Sequence, residues 1–380
     1  MATKQFEQAL EAALRKDEAD IYRALIYEGL GDCALKRKHR KDALEYFEKA
    51  RATLLEIEKK PWGRRQRLLE KMIEVSHEHS YPKVLQSSLH DWLDLVANLE
   101  DRGDGKELGY KLYSYGHILI EDERLKKALS LWQRALGLFQ SHLGEDHRWS
   151  TYTHGRLSEL YLDGEDRDLD KAEKHCRLQL KALEKRQGEY SMGLLPVLKT
   201  YARIRRLQSE LGPSPPPTEK QVLERAIVIV ESAEGKDDKD LIPLLYTLAL
   251  HEKRLARLDQ AASKANRAAL IAENSGDPSD LSSALPSLFL LFDIAKKRGN
   301  KAQADYLQER LAHVYLKSVH IYPERTVEGF IEIAKELVKK GSRNLGIKVL
   351  EKSLSRLRGV LGPRSEKVEA LERQIREIEG

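Results

Sequence analysis

A small residue, then a second small residue, then a bulky residue four places on: this triplet recurs along the chain at a near-constant period. At Lys111–Leu143 it reads Gly116, Ala128 and Trp132, followed by Ala135. Near the start it is Gly31, Ala43, Phe47 and Ala50, and later Ala249, Ala261, Ala265 and Ala268. Near the end it is Ala334, Gly346, Leu350 and Ser353. Weaker copies lie between these: Ser76, Ser88, Trp92 and Leu95; Ser158, Ala172, Cys176 and Gln179; Ala202, Glu219, Leu223 and Ala226; Phe292, Ala304, Gln308 and Leu311. The second marker falls at 43, 88, 128, 172, 219, 261, 304 and 346, so successive copies are 40 to 47 residues apart.

Close packing accounts for the pattern. Two helices of a hairpin approach only where Gly, Ala or Ser stands at the crossing, and the bulky residue one turn on fills the space between neighbouring hairpins. The order is that of tetratricopeptide repeats, although the period exceeds their usual ~34 residues and overlaps that of HEAT and armadillo repeats. The small-residue offsets favour the tetratricopeptide type with longer helices or turns. The expected fold is all-α: a right-handed superhelical solenoid of about eight helix-turn-helix, tetratricopeptide-like repeats with a C-terminal capping helix. Residues 1–20 are expected to form an N-terminal capping helix, 21–362 the repeats and 363–380 the C-terminal cap, where Val368, Leu371, Ile375 and Ile378 carry an amphipathic spacing. The run 212–217, GPSPPP, cannot be helical. It is read as a loop between the two helices of the fifth repeat, with a domain boundary near 212 as the alternative.

The stretch Leu143–Leu183 opens with Gly144, Glu145, Asp146 and His147, a Leu-Gly-x-Asp-His turn ahead of a first helix, and Leu361-Gly362-Pro363 echoes it. This resembles the repeats of the kinesin light chain type. The resemblance implies a protein-binding solenoid and no motor. It departs from that family where Gly155 and Arg156 stand in place of paired asparagines. Asp146 and His147 are expected to cap the following helix.

The chemistry-bearing motifs are thin. No phosphate-binding G-x-x-x-x-G-K-[ST], H-E-x-x-H or G-x-S-x-G occurs, so no enzyme activity and no cofactor are expected. His77 and His79, two apart on a helix, point to different sides and read as a solvated helix end. Cys33 and Cys176 are far apart within helical patterns and suggest a reducing, cytoplasmic compartment. No apolar signal core and no stretch long enough to span a bilayer is present. Lys and Arg exceed Asp and Glu by 66 to 61, with both signs interspersed, which describes a solvated surface better than a dedicated nucleic-acid face. Basic clusters at Lys36–Lys41, at Arg64, Arg65 and Arg67, and at Arg203, Arg205 and Arg206 keep nucleic acid as a lesser reading.

In a repeat stack the first helix of each hairpin lines the concave groove. Helical periodicity places Tyr110, Tyr113, His117 and Ile120 on that face of the third repeat. Tyr152, Arg156 and Glu159 follow in the fourth, and Lys199, Arg203 and Arg206 in the fifth. The ligand-binding candidates are Tyr110, Tyr113, His117, Arg156, Lys199 and Arg203. Tyr supplies low-entropy anchors, and Arg and Lys suit a carboxylate or an acidic peptide. The expected function is a non-enzymatic scaffold or adaptor that holds a peptide segment or partner protein. The alternatives are a peptide-sensing regulatory protein, which needs an N-terminal effector element where only one helix precedes Ile21, and an RNA-binding helical repeat. Self-association is left open.

Overall fold

In the computed structural model, the described residues are 5, 8, 20–57, 62–79, 81–97, 105–121, 125–164, 167–212, 215–275, 277–318, 331, 334–335, 338–339, 343–362 and 365–379. Every regular element among them is helical. In chain order they are α1 (Asp20–Lys36), α2 (Arg40–Glu56), α3 (Trp62–Glu78), α4 (Pro82–Ala97), α5 (Gly105–Glu121) and α6 (Leu125–Leu143). Next come α7 (Arg148–Asp163), α8 (Leu169–Gln187), α9 (Leu195–Leu211), α10 (Glu219–Ala233), α11 (Leu241–Arg254) and α12 (Leu258–Asn274). The short α13 (Pro278–Leu281), then α14 (Leu285–Lys297), α15 (Lys301–Ser318), α16 (Arg343–Leu361) and α17 (Glu366–Glu379) complete the chain. Consecutive helices pack in pairs, which is the tetratricopeptide-type, all-α repeat architecture expected from the spacing. The chain divides into two compact units, Met1–Thr153 and His154–Gly380. The expected cap at 1–20 lies almost wholly outside the described residues.

In the first unit the small residues stand where helices meet. A Cβ on Gly31 would lie 2.4 Å from the Phe47 ring, and one on Gly116 would lie 2.3 Å from Trp132 Nε1. Trp132 also donates from Nε1 to the Tyr113 carbonyl at 2.9 Å, which satisfies its buried N–H. Ser76 and Ser88 are buried at the weakest copy, beside the fully buried Trp92. Successive hairpins are tied by Lys71, 2.9 Å from both Glu28 and Asp32, and by Trp92, whose ring meets Tyr115 edge-on at 4.6 Å.

The second unit repeats the device. Ser158 Oγ donates to the Ala172 carbonyl at 2.8 Å, and Ala249, Ala261, Ala265 and Ala268 are all fully buried. Arg310 grips Glu273 through two nitrogens at 2.9 and 2.6 Å, linking α15 to α12. At the eighth copy, a Cβ on Gly346 would lie 2.9 Å from the Ala334 carbonyl oxygen. Helix α17 buries Val368, Leu371 and Ile375 against Val349, Leu350 and Leu357.

The Pro-rich run lies between the end of α9 and the start of α10, and Thr218 restarts the helix through a capping box with Gln221. Here the register differs from the sequence reading. Glu219 is the first residue of α10, so the fourth position, held by Ala43, Ala128, Ala172 and Ala261 in their helices, falls to Val222. The insertion hid this shift of three residues. Gly144 and Gly362 both adopt positive φ, 95° and 81°, so the echoed Leu-Gly turn is one backbone device used twice. His147 caps α7, accepting from the Trp149 N–H at its Nδ1.

Candidate binding surfaces

In the first unit, which takes in α5 and the opening residues of α7 as far as Thr153, both segments belong to first helices of hairpins. Their aromatic side chains converge. Tyr110, Tyr113 and His117 recur at the three- and four-residue steps that keep one helix face, and all three are partly exposed. The Trp149 ring lies 5.2 Å from Tyr110 and 5.3 Å from Tyr113, both edge-to-face, and 5.9 Å from Tyr152. Tyr113 also meets His117 at 4.9 Å. Behind this layer Trp132 and Phe139 of α6 support His117 and Tyr110 at 5.1 and 5.3 Å. The outermost ring, Tyr152, is 47% exposed. Edge-to-face pairs stabilise one another beyond the area they bury, so the rings of the patch are packed together in the free chain. The sequence reading named every exposed ring except Trp149. That residue sits one turn before Tyr152, so extending the face by three residues would have found it.

The cationic candidates of the second unit are less free than their spacing suggests. Arg156 pairs with Glu159 at 2.8 Å, two exposed side chains on one helix. Arg203 is held by Asp163 through a two-nitrogen fork at 2.9 and 2.5 Å. Lys199 is exposed and shows no partner among the described residues. Lys199, Arg203 and Arg206 of α9 line a depression of about 280 Å³ with Glu219 of α10 and Pro243 and Thr247 of α11. Glu219 is only 3% exposed; one carboxylate oxygen receives His251 and Arg254 while Oε1 has no partner. The depression therefore presents cations at its rim and an acceptor at its floor.

Arg205, grouped with its neighbours as a basic cluster in the sequence, is an internal residue. It is 2% exposed and bonds Glu173 at 3.1 Å, Gln208 at 3.0 Å and the Pro216 carbonyl at 3.4 Å. It anchors the Pro-rich loop and offers nothing to a phosphate. The turn cluster Lys36–Lys41 is largely exposed between α1 and α2, and Arg64 reaches Glu28 at 3.5 Å.

A histidine pair, His154 buried and His175 half-buried, also lies in the second unit. His154 and His175 approach at 2.8 Å through their Nδ1 atoms, and Tyr161 stacks on His175. Burial, and then the nearby Lys174 ammonium, lower the His154 pKa to about 4. His175 is lowered to about 4 by burial, by His154 and by Lys174. Next to them, burial pushes the Cys176 thiol up to about 12, so it is an inert packing group. No cluster of three or more His, Cys, Asp or Glu that could hold a metal occurs among the described residues, and no helix among them is long and apolar enough to cross a membrane.

No family model matches the chain. No curated protein matches it either. Among solved structures it is similar to a Podosopora anserina protein with TPR-like repeats of the kinesin light chain type, at 13% identity and a TM-score of 0.47, covering 57% of this chain and 99% of that one. It is also similar to aspartyl phosphate phosphatase F from Bacillus subtilis, at 13% identity and a TM-score of 0.46, covering 96% and 94%. A Rap protein complexed with competence and sporulation factor matches at 12% identity and a TM-score of 0.38, covering 94% and 98%. The tetratricopeptide-type architecture stands on the hairpins described above.

Proposed function

We propose that this chain is a non-enzymatic interaction module of the cytoplasm that holds a partner protein or peptide segment on the first-helix faces of its hairpins. One observation carries the reading: the preassembled, partly exposed aromatic patch of Tyr110, Tyr113, His117, Trp149 and Tyr152. A helix pair needs no exposed tyrosine at 47% for its own stability, whereas Tyr and Trp are the residues that concentrate binding energy at interfaces. The depression beside Lys199 in the second unit supplies the polar part of the same reading, suited to a chain segment that brings a carboxylate to Lys199 and a donor to Glu219 Oε1.

One feature favours RNA as a second reading. The Arg148 guanidinium lies over the Trp149 ring at 5.7 Å, the combination of cation and aromatic that single-strand binders use. A base needs an open ring face, however, and Trp149 also carries Phe139 in a parallel stack at 6.0 Å.

Affinity capture from lysate of the source cell, with and without nuclease, tests both. The wild-type chain is expected to retain a nuclease-resistant protein that the Tyr113→Ala/Tyr152→Ala variant loses at least tenfold. Equal retention by the two chains removes the aromatic patch from the account. Loss of all retained material on nuclease treatment transfers it to RNA.

A further inference from the structure

We infer that the second unit carries a second docking surface, on its second-helix side, for an acidic peptide segment with an apolar anchor. A cleft of about 840 Å³ opens between α8 and α10. Leu198 and Tyr201 of α9 lie at its base, and Pro215 and Pro217 bound one end. These walls belong to the second helices of their hairpins, and the cleft shares no lining residue with the depression at Lys199, which α9, α10 and α11 line.

Charge pairing inside the cleft decides what it accepts. Of its three carboxylates, two are consumed internally. Glu173 receives Arg205 at 3.1 Å and Gln208 at 2.9 Å. Glu184 holds Arg225 at 2.6 Å, and Arg225 donates onward to the Glu189 carbonyl at 2.9 Å. The three α8 cations that line the cleft are not matched in this way. Lys174 and Lys181 are exposed with no partner among the described residues, and Arg177, 67% exposed, reaches Glu173 only at 3.8 Å. Of the cleft's carboxylates, Asp170 is the one not engaged by Arg205 or Arg225. Positions 174, 177, 178 and 181 share one face of the helix by periodicity, and Leu178 stands 40% exposed among the three cations. The surface therefore presents uncompensated positive charge around an apolar contact, above a floor of Leu, Tyr and Pro. An acidic segment with an apolar residue complements both features. A nucleic-acid backbone would use the cations and leave the apolar floor unmatched.

The cleft is also preorganised. Arg205 ties the Pro216 carbonyl to Glu173, which fixes the loop at one end, and Arg225 fixes α10 to α8 at the other. Binding then orders little protein chain.

The test is a randomised peptide library of about twelve residues per member, displayed and sorted on the full chain, then counter-sorted on Lys174→Glu/Lys181→Glu. Both lysines are exposed, so the variant keeps its fold, checked by an unchanged thermal midpoint. Clones selective for the wild type are expected to be rich in Asp and Glu around one or two apolar residues. Their affinity should fall about tenfold on the charge-reversed variant, fall similarly on Leu178→Ser, and stay unchanged on Lys199→Glu. Three results overturn the assignment: no clone that distinguishes the variant, selective clones without acidic residues, or a single-stranded RNA oligonucleotide that binds the wild type and is lost on the variant. None of these bears on the aromatic patch of the first unit.

Discussion

At the residue scale, the histidine pair makes the sharpest demand. His154 and His175 share one hydrogen bond at 2.8 Å, so one nitrogen must donate and the other accept, and the bond is lost once both rings are protonated. Their folded pKa values of about 4 lie below the unfolded value of 6.5. Between those limits the unfolded chain binds more protons than the folded one, so stability rises with pH. Their contribution is present above pH 6.5 and is lost as the pH falls towards 4. Urea midpoints measured across that range should therefore drop more steeply for the wild type than for His154→Gln/His175→Gln. Parallel profiles would mean the pair titrates normally. None of this was legible in the sequence, where the two histidines are separated by twenty-one positions. The Arg203–Asp163 fork, forty positions apart, was equally hidden. Side-chain pairs between helices depend on side-chain direction, which spacing alone does not give.

At the element scale, the small residues at helix crossings were the most legible feature. Their positions follow from a backbone distance that larger side chains forbid, so the sequence must record them. Gly116→Val should push against Trp132 and cost on the order of 1–3 kcal/mol, since overpacking displaces ring and backbone together. Gly137→Ala, on the same hairpin with open space around it, should instead gain about 0.5–1 kcal/mol from helix propensity. Equal effects at the two sites, by chemical denaturation, would mean that the crossing is not the constraint. Legibility failed at α10, where the loop insertion moved the register from Glu219 to Val222. A period identifies an element, and an insertion of unknown length breaks the count within it. The aromatic face of α5 was readable because one helix carries it; the contribution of Trp149 required knowing that α7 packs beside it.

At the scale of the molecule, each compact unit has its own buried residues. All four tryptophans, at 62, 92, 132 and 149, fall within Met1–Thr153. Tryptophan fluorescence therefore reports the first unit, while far-ultraviolet circular dichroism reports the helices of both. Repeat arrays hold together through neighbour contacts and need not unfold as one body. Denaturation followed by the two signals is expected to give different midpoints; coincident transitions would mean that the chain unfolds all at once.

The central claim is that a partner lies on the first-helix faces, and hydrogen exchange tests it most directly. Amide exchange would be compared for the free chain and for the chain saturated with the protein retained in nuclease-treated capture. Slowed exchange is expected in α5 and in the first half of α7, where Tyr110, Tyr113, Trp149 and Tyr152 stand. Unchanged exchange in both helices, with protection confined to other elements, would contradict it.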